Sequence, residues 1–523
     1  MYMKGKLHQM KLNYKRTLCV GFAFFLITAF WQAYDTIIPK ILTDRFGMNQ
    51  TVSGIIMALD NVLALFLLPL FGVISDKTKS RLGKRTPFII AGTLAAVLTF
   101  ASLSFVDAAQ LKKINAVTDI HGVQAREILY DYEYPETLIS PSGEKFVLQE
   151  KFNREDFINM PATYKDNTVT EGYTDYMVPA RQAYIKHEIT DKDPSSLIWF
   201  IGLLFAVLIS MAIFRTPAVA LMPDVTPKPL RSKGNAVINL MGTLGGSLIL
   251  GLGILFGTGK AENTFMNYTL YFLAVAAIMV VCLGLFLATV RENKFVKEME
   301  ETSRKFGIEE GEETQSGDKK LSKGERKSFL LLLASVIFWY AGYNAVISKY
   351  SVYASNVLDQ DYNTTLLIAN IAALIAFIPV GIISTKLGRK KMVLAGVIML
   401  GGAFLVAAFM SSITPPYVMM AIFALAGIGW ATINVNSFPM VVELAKGGNV
   451  GRYTGFYYTA SMAAQTLTPV LSGFFMDNFG MRTLFPYATV FVGLAFITMF
   501  LVRHGDAIPV KAKSAADYIP DAD

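Results

Sequence analysis

Charge is scarce in this chain: Asp, Glu, Lys and Arg make up 17% of its 523 residues, against about 25% in an ordinary globular domain. Histidine and cysteine are rarer still. His8, His121, His187 and His504 are scattered, and the only two cysteines, Cys19 and Cys282, each lie inside a long apolar run. Thiols so placed build neither a disulfide framework nor a metal site. A phosphate-binding loop is missing as well. Gly242 and Gly246 stand in a G-x-x-x-G spacing, but no strand precedes them and no lysine follows in place, so they read as close helix packing. These absences remove thiol, metal and nucleotide chemistry from consideration. An enzyme is therefore not expected, no cofactor or metal is expected, and ATP is excluded as an energy source. The formal net charge of +8 does not point to nucleic acid, because no soluble basic face accompanies it.

What the chain has in excess is apolar sequence, 53% of the total. A membrane-spanning helix needs about 20 mostly apolar residues, and twelve such runs occur. They lie near 17–39, 51–74, 87–106, 196–222, 234–257 and 269–290, then near 328–350, 364–383, 391–411, 416–438, 453–476 and 484–502. The expected fold is an all-α membrane protein of twelve transmembrane helices in two six-helix halves. An even number of spans places both termini on one side. The first run follows Lys4, Lys6, Lys11, Lys15 and Arg16 but is too long for a signal peptide and lacks an A-x-A site, so it is expected to be retained as helix one.

Cytoplasmic loops collect Lys and Arg. With the N-terminus inside, the segments 1–16, 75–86, 223–233, 291–327, 384–391, 440–452 and 503–523 hold 32 basic residues, while the short outer loops hold only Lys40, Arg45, Lys260 and Arg482. The domain plan is then a cytoplasmic N-terminus (1–16), helices 1–3 (17–106), an extracytoplasmic insertion (107–195), helices 4–6 (196–290), a cytoplasmic linker (291–327), helices 7–12 (328–502) and a cytoplasmic tail (503–523). The expected location is the cell membrane, as a multi-pass protein. Residues 107–195 carry 16 acidic and 10 basic residues and several turn signals, including Pro141-Ser142-Gly143. They read as a small mixed α/β cap on the outer mouth, inert or acting as a lid. The charged linker, with Glu309-Glu310-Gly311-Glu312-Glu313, reads as a connector that starts as helix.

One basic loop occurs twice. Asp76-Lys77-Thr78-Lys79-Ser80-Arg81-Leu82-Gly83-Lys84-Arg85 returns in weaker form as Ser384-Thr385-Lys386-Leu387-Gly388-Arg389-Lys390-Lys391, roughly 305 positions later and between corresponding runs. Duplicated halves are a transporter device. With Gly72-Val73-Ile74-Ser75 before it and Pro87-Phe88-Ile89 after it, the first copy resembles the loop between helices 2 and 3 of the major facilitator superfamily. More narrowly, it is similar to the glycoside-pentoside-hexuronide:cation symporters and the sucrose/proton symporters. Ala220-Leu221-Met222-Pro223-Asp224-Val225-Thr226 and Gly427-Ile428-Gly429-Trp430-Ala431 leading to Pro439 resemble the sucrose-type branch. The resemblance covers both halves and leaves the insertion and the tails unmatched.

The resemblance implies gating at this loop, through Asp76, Arg81, Gly83, Arg85 and Asp224 and, in the second half, Glu443 and Arg452. A carboxylate just past its own helix C-terminus is unfavourable there but favourable beside another helix N-terminus. The expected acceptor for Asp76 is helix 11, which begins after Arg452. The alternative is that these charges only set topology.

Ionisable residues at bilayer depth are costly and read as functional. Asp35, on one helical face with Gln32, Asp60 beside Asn61, and Arg215 in the fourth run are the proton-coupling candidates. Each has a plainer reading: solvation of Asp35, a structural hydrogen bond for Asp60, and snorkelling for Arg215. The family pattern departs here in two ways. Plant sucrose symporters place an arginine where this chain has Val219, with Arg215 one turn earlier, and their helix 4 aspartate is missing. The paired helix 2 aspartates of the sodium-coupled melibiose branch have no match either, which disfavours sodium. Sugars need flat apolar surfaces and hydroxyl partners. The candidates for these are Trp31, Gln32, Tyr34, Asn61 and Asn239 in the first half and Tyr340, Tyr343, Asn344, Trp430, Asn434, Asn436, Tyr457 and Gln465 in the second. The function expected is proton-coupled symport of a sugar or glycoside by alternating access, in a monomer surrounded by lipid. The alternatives are proton-coupled export of drugs or metabolites, and a membrane-anchored receptor that uses the outer segment.

Overall fold

The computed structural model describes residues 12–119, 121–164, 169–306, 321–444 and 450–504. The acidic stretch 309–313 and the tail after His504 lie outside the described residues. So does the side chain of Thr385, which stands where the first basic loop has Asp76.

Twelve long helices carry the fold. In the first half they are α1 (Tyr14–Lys40), α2 (Gln50–Lys77), α3 (Thr86–Lys113), α4 (Ser195–Asp224), α5 (Arg231–Phe256) and α6 (Thr269–Thr289). In the second half they are α7 (Lys323–Tyr353), α8 (Tyr362–Leu387), α9 (Arg389–Ala407), α10 (Pro416–Leu444), α11 (Val450–Phe479) and α12 (Leu484–Leu501). Among the described residues, eleven helices are long and apolar enough to cross a membrane. The exception is α11, where Tyr453, Thr454, Tyr457, Tyr458, Gln465 and Asp477 lower the apolar content. Twelve apolar runs were expected; the twelfth is a 30-residue helix whose polarity faces a cavity.

Local chemistry sets the helix ends. Asn49 caps α2 by accepting from Val52 N at 2.8 Å, and Ser322 and Glu325 form a reciprocal capping box at the start of α7. Both α1 and α7 end in a wide π turn, Ile41–Arg45 and Ala354–Leu358. Pro69 in α2 and Pro379 in α8 interrupt corresponding helices.

The packing repeats between the halves. In the first half α1 lies on α5 and α6, α3 on α4 and α6, and α2 on α4. In the second half α7 lies on α11 and α12, α9 on α10 and α12, and α8 on α10. Between halves, α1 meets α7, α2 meets α11 and α5 meets α8. Each half has its own apolar core, with Phe30, Phe100 and Phe272 central to one and Trp339, Tyr350 and Phe485 to the other.

The insertion after α3 contains four short helices (Val123–Asp131, Leu148–Lys151, Arg154–Asn159 and Val178–Tyr184) and an antiparallel pair, β1 (Leu138–Ile139) with β2 (Lys145–Phe146). It has a separate core around Leu129, Leu138, Phe146, Phe157 and Tyr173. It covers one end of the bundle, called here the insertion face. The basic loops lie at the opposite end, the loop face.

At the insertion face the halves are tied by polar contacts. Asp477 on α11 accepts from the backbone N–H groups of Gln50 and Thr51, both at 2.7 Å, and from the Thr51 hydroxyl at 2.5 Å. Lys349 of α7, fully buried, donates to the Gln50 carbonyl at 2.5 Å. Lys40 at the end of α1 donates to Ser355 Oγ at 2.9 Å. Tyr362 Oη and Asn363 Nδ2 of α8 donate to Thr258 Oγ1 at 3.1 and 3.0 Å.

Candidate functional site

Between the halves, on the loop side of these ties, lie three adjoining cavities that share Arg215. One of about 490 Å³ is lined mainly by α1, α4, α5 and α8, including Phe24, Gln32, Asp35, Val219, Asn239 and Phe377. One of about 500 Å³ faces the second half, with Tyr340, Tyr343, Trp430, Asn434, Tyr457 and Gln465. The third, about 180 Å³, sits deepest and joins them. Its wall includes Trp31, Asp35, Asp60, Asn61, Asn344 and Gln465.

The first half supplies the charge. Asp35, Asp60 and Arg215 come from three helices to this small cavity and interact electrostatically. The Arg215 guanidinium lies 5.6 Å from the centre of the Trp31 ring, a cation–π arrangement that keeps a charge favourable beside an apolar surface. Asp60 Oδ1 accepts from Asn61 N at 2.6 Å and from Asn61 Nδ2 at 2.8 Å. Arg215 and Val219 line the same cavity one turn apart, so the guanidinium is presented from the face on which Val219 stands.

The second half supplies flat surface. Tyr343 stacks on Trp430 with ring centres 3.6 Å apart and planes 3° from parallel, and Tyr340 meets Trp430 edge-on at 5.2 Å. Such an aromatic wall opposite amide and carboxylate groups suits a ligand with apolar faces and a hydroxylated rim.

At the loop face, Arg85 is the hub. It donates to Asp224 at 2.8 Å, to Ser75 Oγ at 2.5 Å and to Asp76, and Lys84 lies 3.2 Å from Asp224. The helix Glu292–Lys305 follows α6 and brings Glu292 to the N-terminus of α3. There its carboxylate accepts from the N–H groups of Lys84, Arg85 and Thr86 and from the Thr86 hydroxyl, at 2.7–2.9 Å. Gly83 stands at φ +117°, and a Cβ on it would lie 2.2 Å from that carboxylate. Only glycine suits both conditions. The second half repeats the theme more simply, with Arg389 bonded to Glu443 at 2.8 Å. Arg452 stands over Phe456 at 5.7 Å, and Arg81 is exposed with its carbonyl accepting from Asn293.

The Major Facilitator Superfamily profile matches residues 189–375 and 331–518, and a profile described as MFS/sugar transport protein matches residues 19–111. The chain belongs to the major facilitator superfamily. Over 79 residues it is 33% identical to YagG of Escherichia coli (strain K12), whose name describes a glycoside/cation symporter; that stretch is 14% of this chain and 17% of YagG. Among solved structures, the inward-open xylose transporter XylE from E. coli superposes with a TM-score of 0.57 at 10% identity, over 96% of this chain and 98% of that one. A D-xylose-proton symporter gives 0.55 at 13%, over 94% and 98%. An inward-facing bacterial homologue of the iron transporter ferroportin gives 0.55 at 12%, over 94% and 99%. At these identities the likeness establishes the superfamily fold and leaves the cargo open.

Within this superfamily frame, two expected ligand contacts are placed elsewhere. Tyr34 is fully buried, packed on Phe30 and Trp31 at 5.9 and 5.3 Å, and does not line the cavities. Asn436 is 1% exposed and donates to the Thr432 carbonyl of its own helix. It is two residues past Asn434, and the roughly 100° per residue of an α-helix turns it to the other side. Asp76 bonds to Arg85 rather than to the start of α11, so in this conformation its charge is held within the first half. Sequence reasoning missed Lys349, whose lone charge was absorbed in an otherwise apolar run. It also missed Glu292, which looked like one more linker charge. A signal existed for Glu292, since an acid one residue after Arg291 ends the apolar run facing a strongly basic loop.

Proposed function

We propose that the chain is a proton-coupled symporter of a sugar or glycoside, working by alternating access as a monomer. The observation that carries the reading is the meeting of Asp35, Asp60 and Arg215 at the deepest cavity, against an aromatic wall from the other half. Two carboxylates facing one guanidinium leave one negative charge. One proton taken up by the carboxylates makes the trio neutral, and a neutral trio is the form cheapest to occlude from water. The likeness to YagG and to the D-xylose-proton symporter supports both sugar cargo and a cation partner. The basic residues on the loop face support a cytoplasmic location for that face and for both termini, with residues 107–195 outside a cell membrane. In that orientation the present conformation has its cavity on the cytoplasmic side of the inter-half ties, and the Arg85 and Arg389 networks are the elements that rearrange when it closes.

The test is uptake in proteoliposomes, using labelled sucrose, maltose, melibiose and glucuronides with and without an imposed pH gradient. Accumulation of at least one of them driven by inward proton flow is the expected result. Uptake indifferent to the gradient would refute proton coupling, and counterflow absent for every sugar would refute the cargo.

A further inference from the structure

The insertion touches both halves, and it does so in two different ways. Its apolar core continues into the first half alone: Ala261 and Phe265, between α5 and α6, pack against it, and the Arg181 guanidinium lies 4.4 Å from the centre of the Phe265 ring. Gln182 adds a 3.3 Å bond to Asp44, and the chain enters from α3 and leaves into α4. The second half is reached through small polar contacts. Val169 N donates to Asp359 Oδ2 at 2.6 Å. Arg482 N donates to the Pro141 carbonyl at 2.9 Å. Beside that bond Gly143 and Gly480, at φ +93° and +91°, bring two backbones so close that a Cβ on Gly480 would lie 2.4 Å from Gly143 N. Such closeness is a built contact, since two glycines in the left-handed region are needed to make it.

From this asymmetry we infer that the insertion is a clasp borne by the first half, which grips the second half at Asp359 and at the Gly480-Met481-Arg482 turn and holds the insertion face shut. Apolar burial of the kind that joins it to the first half does not come apart during a transport cycle. A few hydrogen bonds do, because water replaces each at modest cost. The clasp therefore opens at its second-half side when the halves separate at this end, and its contacts bias the balance towards the present conformation. Nothing in this depends on the identity of the cargo.

The test uses spin labels at Lys260 and Ile413, which are exposed on opposite halves at the insertion face, in a Cys19→Ser, Cys282→Ala background. Double electron–electron resonance then reads the separation of the halves without any substrate. Asp359→Asn keeps shape and tolerates the positive φ of 52° at this position, but loses the charge that Val169 N meets. It is expected to raise the long-distance population by on the order of tenfold relative to the parent. A separate protein with Pro141→Cys and Arg482→Cys, joined by a short thiol-specific cross-linker, is expected to lose uptake of any substrate the parent accumulates, with recovery when the link is cleaved. An unchanged distance distribution in folded Asp359→Asn, or full uptake by the cross-linked protein, would overturn the clasp. Failure of sugar uptake in the parent would bear on the proposed cargo and leave the distance measurement standing.

Discussion

Replacing Lys349 by Met should release the insertion face without unfolding the protein. The lysine belongs to the second half, is fully buried, and spends its ammonium on the Gln50 carbonyl of the first half. That carbonyl is in the first turn of α2, whose N–H groups are held by Asp477. Two second-half side chains thus grip one first-half turn, one by its carbonyl and the other by its amides. A hydrogen bond involving a charged group contributes about 1.5–3 kcal/mol. Because this one crosses between halves, losing it shifts the closed-to-open equilibrium by on the order of 10- to 150-fold. The fold itself loses little. Methionine keeps the apolar stem and lifts the cost of burying a charge, and such exchanges are often neutral for stability. The Gln50 carbonyl is left with the bond of its own helix. The same pair of labels at Lys260 and Ile413 gives the assay, with thermal unfolding in detergent as the control. A large gain in the long-distance population with a melting temperature within about 3 °C of the parent is expected. An unchanged distribution in a folded variant would refute the assignment of Lys349 to the inter-half tie.

Three further outcomes are expected. Asp35→Asn and Asp60→Asn should each retain substrate counterflow but lose at least about tenfold of gradient-driven accumulation, and a variant that concentrates substrate as the parent does would remove that carboxylate from coupling. Glu292→Ala leaves the amides of Lys84, Arg85 and Thr86 without their acceptor, at about 1–3 kcal/mol for each that stays buried; a melting temperature several degrees lower should follow, and no drop would show that water replaces the carboxylate. Trp430→Ala removes the ring that stacks on Tyr343, an interaction of about 0.5–1.5 kcal/mol beyond area, so apparent substrate affinity in equilibrium binding should fall roughly 2- to 12-fold or more, and unchanged affinity would place the sugar elsewhere.

The architecture was legible because spanning helices write themselves as long apolar runs, and the duplication because Gly83-Lys84-Arg85 and Gly388-Arg389-Lys390 recur at matching places. Arg85 and Asp224 are 139 residues apart and were still both singled out, since each is a charge at the end of an apolar run. Orientation within a run was harder. Trp430 and Asn434, four apart, share a helical face by simple geometry, and Asn436 could have been set aside on the same ground. Tyr34 could not, because it differs from Trp31 and Asp35 only in what α1 packs against. Lys349 was hidden for another reason: one charge barely alters the character of a 31-residue helix, and its partner is a backbone carbonyl, which no sequence pattern marks. The polarity of α11 had the opposite effect, hiding a helix from an apolar criterion because it faces the cavity.

The helix Glu292–Lys305 follows the last span of the first half, yet it carries the acceptor that closes the first half's own loop. In terms of synthesis, α1 to α6 can all have been made while the start of α3 still lacks its carboxylate. The earliest self-sufficient folding unit in this chain therefore ends near Phe306, not at Thr289. A split protein cut between α6 and Glu292 should assemble poorly, whereas one cut after Phe306 leaves two pieces whose loop networks are each complete.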